Sequence, residues 1–522
     1  MLHGLDSLQD ATKTRLLFGC VVAVTFICFI PTLFNELLLT WDDNIGIVNN
    51  EQIRQLSFET VRWAFSTFYF RDWLPLVWIS FAIEYALWGL NPVGYHLTNN
   101  IIHAGNAGLF ALISLTLSKL YLAQHESSTL LRGNRIYYCA LLAALLFAIH
   151  PLRVESVAWA FERKDVLSLF FGLLSLLVYL RYIRTRSDGG AYPAEFAFLG
   201  KPLYWLAVIF YCFSLFSKAM LVSLPLVMLI IDWFPLNRFN RAQIKAALLE
   251  KAPFILLAGT TSAILMTVHA AGKMPLSQAD MPSRFLIAGK SIITYLQLTV
   301  WPTNLSHFHL HPGNIGSPGF EYLFPIALCI VITISSFLLR KRWPVVAAVW
   351  AVYLVTLLPV LGFTQVSSTA MADRYTYVPG LAISLLAALA IMALADKCSP
   401  SQLALNAVTA GTIGILAVSC YLTVRQISYW KDDVSLWSRA IELQPHFSGR
   451  MYAERAAAYK DRGEFQKALQ DINVAITIAT QKKRPKMEEL YFERSSILQL
   501  LGETALATAD YNYALSLLAG ER

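Results

Sequence analysis

Along most of this chain, apolar runs of about 20 residues alternate with short polar loops, and a run of that length crosses the hydrocarbon core of a bilayer as one helix. The runs begin at Leu16 and end near Val424. Beyond that point the residues turn polar and helix-forming. The pattern predicts an all-α protein in two parts: a polytopic membrane domain over 1–424 and an extracytoplasmic soluble domain over 425–522.

Short loops rich in Lys and Arg stay on the cytoplasmic side. Such loops hold Lys13 and Arg15, then Arg132 and Arg135, Arg181 to Lys201, Arg238 to Lys251, Arg340 to Arg342, and Lys397. Placing all of them inside predicts about eleven spans with a cytoplasmic N-terminus. The segment Phe285 to Val300 would break that register as a span, so it reads as re-entrant or interfacial. The opposite face then receives Trp41 to His96, His150 to Asp165, the turn at Lys218, Gly272 to Gly319 and the loop Gly362 to Thr376. The aromatic-rich segment after Trp41 favours the headgroup region. In a bacterium this protein would lie in the inner membrane with that face in the periplasm.

Two tail segments, from Tyr452 and from Tyr491, match each other 39 residues apart. Tyr452 pairs with Tyr491, Arg455 with Arg494, Gly463 with Gly502, Asp471 with Asp510 and Ala475 with Ala514. Helix, Gly turn and helix with small crossing residues is the tetratricopeptide repeat pattern, and it predicts a short α-solenoid. WKDDVSLWSRAIELQP, from Trp430, resembles the second helix of an earlier, incomplete repeat. So few repeats are barely self-supporting, which predicts packing against the membrane domain and a groove able to bind a protein partner.

Composition agrees: 522 residues, 56% hydrophobic and only 15% charged, exclude the ordinary soluble class. The net charge of +8 is spread over the loops and gives no reason to expect nucleic acid. Seven cysteines lie in or beside apolar segments without ligand spacing, so neither a zinc site nor a disulfide framework is expected. The first run lacks a small-residue cleavage site and reads as a retained helix.

The polar residues that topology does not explain gather on the outer side. Asp42 and Asp43 form an acid pair just after the first run. HPLRVESVAWAFERKD sets His150, Glu155, Arg163, Lys164 and Asp165 between two apolar runs, where charge is costly and points to function. Arg163, Lys164, Lys218 and Arg374 are cations suited to a phosphate. Asp165 also suits a helix N-terminus, and Asp373 suits a local ion pair with Arg374. His307, His309 and His311 alternate without a nearby acid and make a weak metal signal. A general base, cations for a phosphate leaving group and an apolar body for a lipid tail meet the needs of sugar transfer from a lipid phosphate to a hydroxyl.

WDD, HPLRVESVAWAFERKDVLS, FSK, ADRYTYVP and WKDDVSLW, in that order and followed by repeats, resemble the transmembrane and tetratricopeptide repeat-containing protein family and its bacterial relatives. The resemblance implies a GT-C glycosyltransferase related to the protein O-mannosyltransferases. It implies a polyprenyl-phosphate-linked sugar as donor substrate, an inverting transfer, and protein Ser or Thr as acceptor. Asp42 then maps to the catalytic base, with Asp43 beside it. Arg163, Lys164, Lys218 and Arg374 become donor-phosphate contacts. His150, Glu155, Asp165, His309 and Tyr375 become supporting or acceptor contacts. No cofactor is expected; a divalent cation between Asp42 and Glu155 is the alternative, against which the many nearby cations argue. The rival readings are transfer to a glycolipid or cell-envelope polymer, a non-enzymatic scaffold that recruits partners through its repeats, and a transporter. Family members from animals carry longer repeat arrays than the two clear repeats here.

Overall fold

The computed structural model describes residues 8–124, 131–187, 196–271, 280–310, 312–362, 369–446, 448–482 and 487–520. Its membrane part opens with α1 (Asp10–Phe29), α2 (Phe58–Ser66), α3 (Pro75–Trp88) and the long α4 (Pro92–Gln124). There follow α5 (Arg135–Ala148), the short α6 (Val154–Ala158), α7 (Arg163–Ser187), α8 (Pro202–Ser217) and α9 (Leu224–Trp233). Next come α10 (Ile244–Leu249), α11 (Ala252–Ala271), α12 (Met281–Val300), α13 (Phe320–Leu338), α14 (Pro344–Leu357), α15 (Pro379–Cys398) and α16 (Gln402–Ser428). Two tiny strands, β1 (His309–Leu310) and β2 (Thr369–Met371), pair antiparallel.

Among the described residues seven helices are long and apolar enough to cross a membrane, or eight if the bent pair of α5 and the segment Pro151–Ala158 is one span. About eleven were expected. The shortfall falls at α8, at Ala219–Trp233 and at Pro344–Val360, apolar helices too short to meet the same length. Prolines bound them: Pro202 and Pro344 start a helix where a missing N–H costs nothing, and Pro235 and Pro359 follow or end one. The segment expected to re-enter or lie at the interface is the single unbroken helix α12, packed along α13. The stretch expected to lie on the membrane surface is partly drawn inward. Trp78 of α3 is fully buried, whereas Phe65 and Phe68 are exposed.

Buried polar side chains of α4 hold this domain together where its neighbours break. The α5–α6 pair bends by 59° at Pro151, and a bend frees backbone carbonyls that lipid cannot satisfy. Asn99 Nδ2 donates to the carbonyls of Val157 and Trp159, at 3.2 Å each. One turn on, His103 lies 2.7 Å from the Tyr377 hydroxyl and 3.0 Å from the Ala148 carbonyl. Asn106 Nδ2 donates to the Val166 carbonyl at 2.8 Å. Positions 99, 103 and 106 share one helix face, so one row of side chains serves three neighbouring segments.

A cavity of about 680 Å³ lies between α4, α7, α9, α14 and α15, lined almost wholly by apolar side chains. Its lining on α15 runs from Val378 to Ala393, about 22 Å at 1.5 Å per residue. One end lies at Leu169, Leu221 and Val378, each within four residues of Asp165, Lys218 or Arg374.

The C-terminal part contains α17 (Asp433–Leu443), then two helical hairpins, α18 (Gly449–Asp461) with α19 (Phe465–Gln481) and α20 (Met487–Leu500) with α21 (Thr504–Gly520). The matched sequence positions do matched work. Arg455 grips Asp471 through two bonds of 2.6 and 2.9 Å, and Arg494 grips Asp510 through two of 2.6 and 2.8 Å. Gly463 and Gly502 turn the chain at φ of 75° and 82°, a region that favours glycine. Ala475 and Ala514 are fully buried where the helices cross. The first repeat helix docks on the membrane domain. The Asp433 carboxylate accepts from the Leu39 and Thr40 N–H groups and from the Thr40 hydroxyl, at 2.9, 3.0 and 2.5 Å. Trp437 Nε1 donates to the same hydroxyl at 2.7 Å.

Candidate functional site

Four segments meet beside the docked repeats: the loop at Trp41–Asp43, the turn from Trp159 into α7, the strand at His309, and the turn Asp373–Thr376 after β2. Asp42 is half-buried, and burial pushes its carboxyl above the usual aspartate range. Lys164 opposes that shift, Glu162 adds to it, and Arg374 and Arg450 oppose it further. A carboxylate so placed is a stronger base than an exposed aspartate, which suits it to accept a proton.

The neighbouring charges form a balanced cluster of three carboxylates and three cations. Arg374 bonds Glu155 through its guanidinium and, at 2.7 Å, through its backbone N–H, and its Nε lies 3.8 Å from Glu162. Burial opposes the Arg374 charge, but Glu155 and Glu162 outweigh it and raise its pKa further. Lys218 Nζ lies 2.6 Å from both Glu162 and Asp165. Lys164 is least committed: its nearest acid is Glu162 at 3.5 Å, and its ammonium rests over the ring of Phe161 at 4.5 Å. Ring contacts join Trp41 to Trp159, His307, Phe308 and Trp437 at centroid separations of 5.1 to 6.3 Å. This aromatic wall seals the joint between the two domains.

No family model matches the chain. Curated relatives do. The human protein O-mannosyl-transferase TMTC4 is 28% identical over 244 residues, 44% of this chain and 31% of the relative. The human protein O-mannosyl-transferase TMTC1 is 23% identical over 523 residues, covering 90% of this chain and 54% of the relative. Protein O-mannosyl-transferase Tmtc3 of Drosophila melanogaster is 21% identical over 535 residues, again 90% of this chain and 56% of the relative. Along 90% of its length the chain is thus similar to the transmembrane and tetratricopeptide repeat-containing proteins. It spans about half the length of the full-span relatives.

The structure redistributes the residues that the sequence singles out. Asp42, Lys164, Lys218, Arg374, Glu155 and Asp165 come together. Asp43 does not share the site: it is fully buried, and its carboxylate accepts from the backbone N–H groups of Leu38 and Phe161 at 3.0 and 2.8 Å. Burial pushes its pKa up to about 7. Asp43 is a clamp that holds the Asp42 loop against the start of α7. Arg163 is not open to a phosphate either. Its side chain is 0% exposed, bonded to Glu84, to Asn99 Oδ1 at 2.9 Å and to the Tyr95 carbonyl at 2.8 Å. His150 likewise serves the fold. Its Nδ1 accepts from Leu152 N–H at 3.2 Å, capping the Pro151 turn, and its Nε2 lies 3.0 Å from the Thr299 carbonyl.

The expected Asp373–Arg374 pair is absent. Asp373 instead accepts from Ser306 N–H at 3.1 Å and lies 3.3 Å from His309 Nε2, while Arg374 turns to Glu155. Burial opposes a charge on His309, but Asp373 raises its pKa overall. His307 is buried against the tryptophans, and burial pushes its pKa down to about 3. His311 lies outside the described residues. Among those described, no group of three His, Cys, Asp or Glu side chains could hold a metal ion. Tyr375 stands half-buried, its ring 5.2 Å from the Arg374 guanidinium. Asp165 lies in the first turn of α7, where its charge favours the N-terminus, and it accepts from the Ser156 hydroxyl at 3.0 Å as well as from Lys218.

Sequence reasoning gave no role to Glu162, which bridges Lys218 and Lys164, although it sits in the same motif. It also passed over Arg153, which donates to the Thr376 carbonyl at 2.5 Å and the Thr376 hydroxyl at 3.1 Å and so fixes the turn carrying Arg374. The row at Asn99, His103 and Asn106 had a readable signal, because polar residues on one face of a membrane-spanning helix are costly unless used.

Proposed function

We propose that this protein transfers a hexose from a polyprenyl phosphate to Ser or Thr hydroxyls of proteins, on the extracytoplasmic face, with inversion at the anomeric carbon. The observation that carries this reading is Asp42: a half-buried acid with raised basicity, under the charges of Lys164 and Arg374, in a cluster whose Arg374 lies one turn before Val378 at the end of a long apolar cavity. Relatives named as protein O-mannosyl-transferases support the sugar-transfer class and make mannose the first sugar to test.

In this mechanism Asp42 takes the proton of the acceptor hydroxyl as its oxygen attacks the anomeric carbon. The bond from that carbon to the phosphate oxygen breaks, and the lipid phosphate leaves with the electron pair. Lys164 and the free guanidinium edge of Arg374 stabilise the charge on the departing phosphate. Lys218 is occupied by Glu162 and Asp165 and acts by holding those acids in place. The cavity takes the first isoprene units of the carrier.

The test is purified protein in lipid nanodiscs with a short-chain polyprenyl-phosphate mannose and envelope proteins as acceptors. Intact mass should reveal hexose additions that disappear with Asp42→Asn. Acceptors that gain the same mass with the Asn variant would exclude Asp42 as the base.

A further inference from the structure

The repeat domain sends one side chain to the edge of the site. Arg450, in the first turn of α18, places its guanidinium 5.6 Å from the Trp41 ring centroid and 5.8 Å from that of Phe308. Trp41 directly precedes Asp42. The guanidinium is held from behind by Glu454, one turn along α18, at 3.1 Å from Nε. That leaves the two terminal nitrogens without partners among the described residues, on a side chain that is 51% exposed. An arginine stacked on two rings and tied at Nε presents a pre-oriented pair of donors and loses little freedom when they are used.

We propose that Arg450 is an acceptor-binding residue, whose terminal N–H groups hold a backbone carbonyl of an extended acceptor polypeptide as its hydroxyl reaches Asp42. This rests on the proposed function and names how its acceptor is held. The local charge selects the partner. Glu454 already answers the Arg450 charge at Nε, and its carboxylate repels an acidic or phosphorylated ligand arriving at that guanidinium. A neutral carbonyl satisfies the donors without that repulsion. The site is then composite: the membrane domain supplies the base and the donor contacts, and the repeats supply the grip on the acceptor. The bonds from Asp433 and Trp437 to the 39–40 loop keep the two halves in register.

The experiment uses the full chain in nanodiscs, a polyprenyl-phosphate mannose donor, and unmodified envelope proteins from a strain lacking the gene as a mixed acceptor pool. The concentration of pool giving half-maximal transfer is measured. Arg450→Ala should raise it at least tenfold while the maximal rate changes less than threefold. The double variant R450E/E454R keeps the ion pair but moves the cation one turn, and it should stay at least tenfold weaker while melting like the wild type. Recovery of wild-type half-saturation by the double variant would overturn the proposal and make the pair structural. An unchanged half-saturation for Arg450→Ala would overturn it as well. If the wild-type protein itself transfers no sugar to the pool or to any other acceptor, the failure belongs to the proposed function, and Arg450 loses its role with it.

Discussion

Two clusters of buried charge sit at opposite ends of α7, about 25 Å apart by helical rise, and they differ in how they are closed. At the end near the repeats, Lys164, Lys218 and Arg374 answer Glu155, Glu162 and Asp165, and the cations keep side-chain exposures of 11, 18 and 13%. At the far end, Arg238 and Lys251 answer Asp232 and Glu250, with Tyr179 and Tyr182 donating to the acids at 3.1 and 3.0 Å. Lys251, Asp232 and Glu250 are completely enclosed there. Both clusters are balanced, three cations against three acids in the first and two against two in the second. What separates a site from a structural knot is spare capacity: the first cluster keeps donors facing Asp42, and in the second each charged group already has an opposite charge or a hydroxyl.

The comparison breaks most sharply at Asp42. Asp42→Asn should lower the rate of sugar transfer by about 10²–10⁴-fold, the usual worth of a general base, and leave the melting temperature nearly unchanged. Mass-resolved transfer assays and thermal melts of the same preparation check both halves. The far cluster should behave oppositely. Lys251→Met leaves Arg238 alone to answer both Asp232 and Glu250, one buried negative charge in excess, and should cost about 3–5 kcal/mol of stability, seen as a lower melting temperature in detergent, with the donor KM of the folded protein unchanged. Equal loss of donor affinity in that variant would erase the distinction between the clusters.

Smaller effects sharpen it. Lys164→Met should raise the donor KM about 10–100-fold, matching a lost charge-assisted bond to phosphate of roughly 1.5–3 kcal/mol. Stability should move little, since Lys164 has one acid at 3.5 Å. The smallest effect is in pH. Because burial holds Asp42 above the ordinary aspartate range, the acid limb of the transfer rate should lie above pH 4, activity rising as Asp42 loses its proton. Arg450 favours the ionised form, so Arg450→Ala should move that limb to higher pH. A limb at or below pH 4, or one that moves down, would contradict the environment assigned to Asp42.

Much of the architecture was legible because it rests on local rules. Apolar runs read as membrane helices, and the repeat register from Tyr452 and Tyr491 reappears as twin Arg–Asp grips and twin glycine turns. The site was legible as a set of charged residues but not as a set of roles. Asp42 and Asp43 are neighbours with the same chemistry, and only packing decides that one faces the cations while the other is clamped by Leu38 and Phe161. Arg163 and Lys164 divide in the same way, since adjacent positions on a helix point about 100° apart. Arg238 and Lys251 read as topology signals in the sequence, and the fold buries them in ion pairs.

The chain's own pattern therefore determined the helical class, the division into membrane and repeat parts, and the motif around which charge gathers. These follow from periodicity and the cost of unpaired polar groups in lipid, which act over a few residues. Tertiary structure alone decided which acid is free, which cation has bonds to spare, and that Arg450 of the repeats stands beside Trp41. Those outcomes depend on contacts between segments up to some four hundred residues apart, where burial and pairing are set by packing that no local pattern encodes.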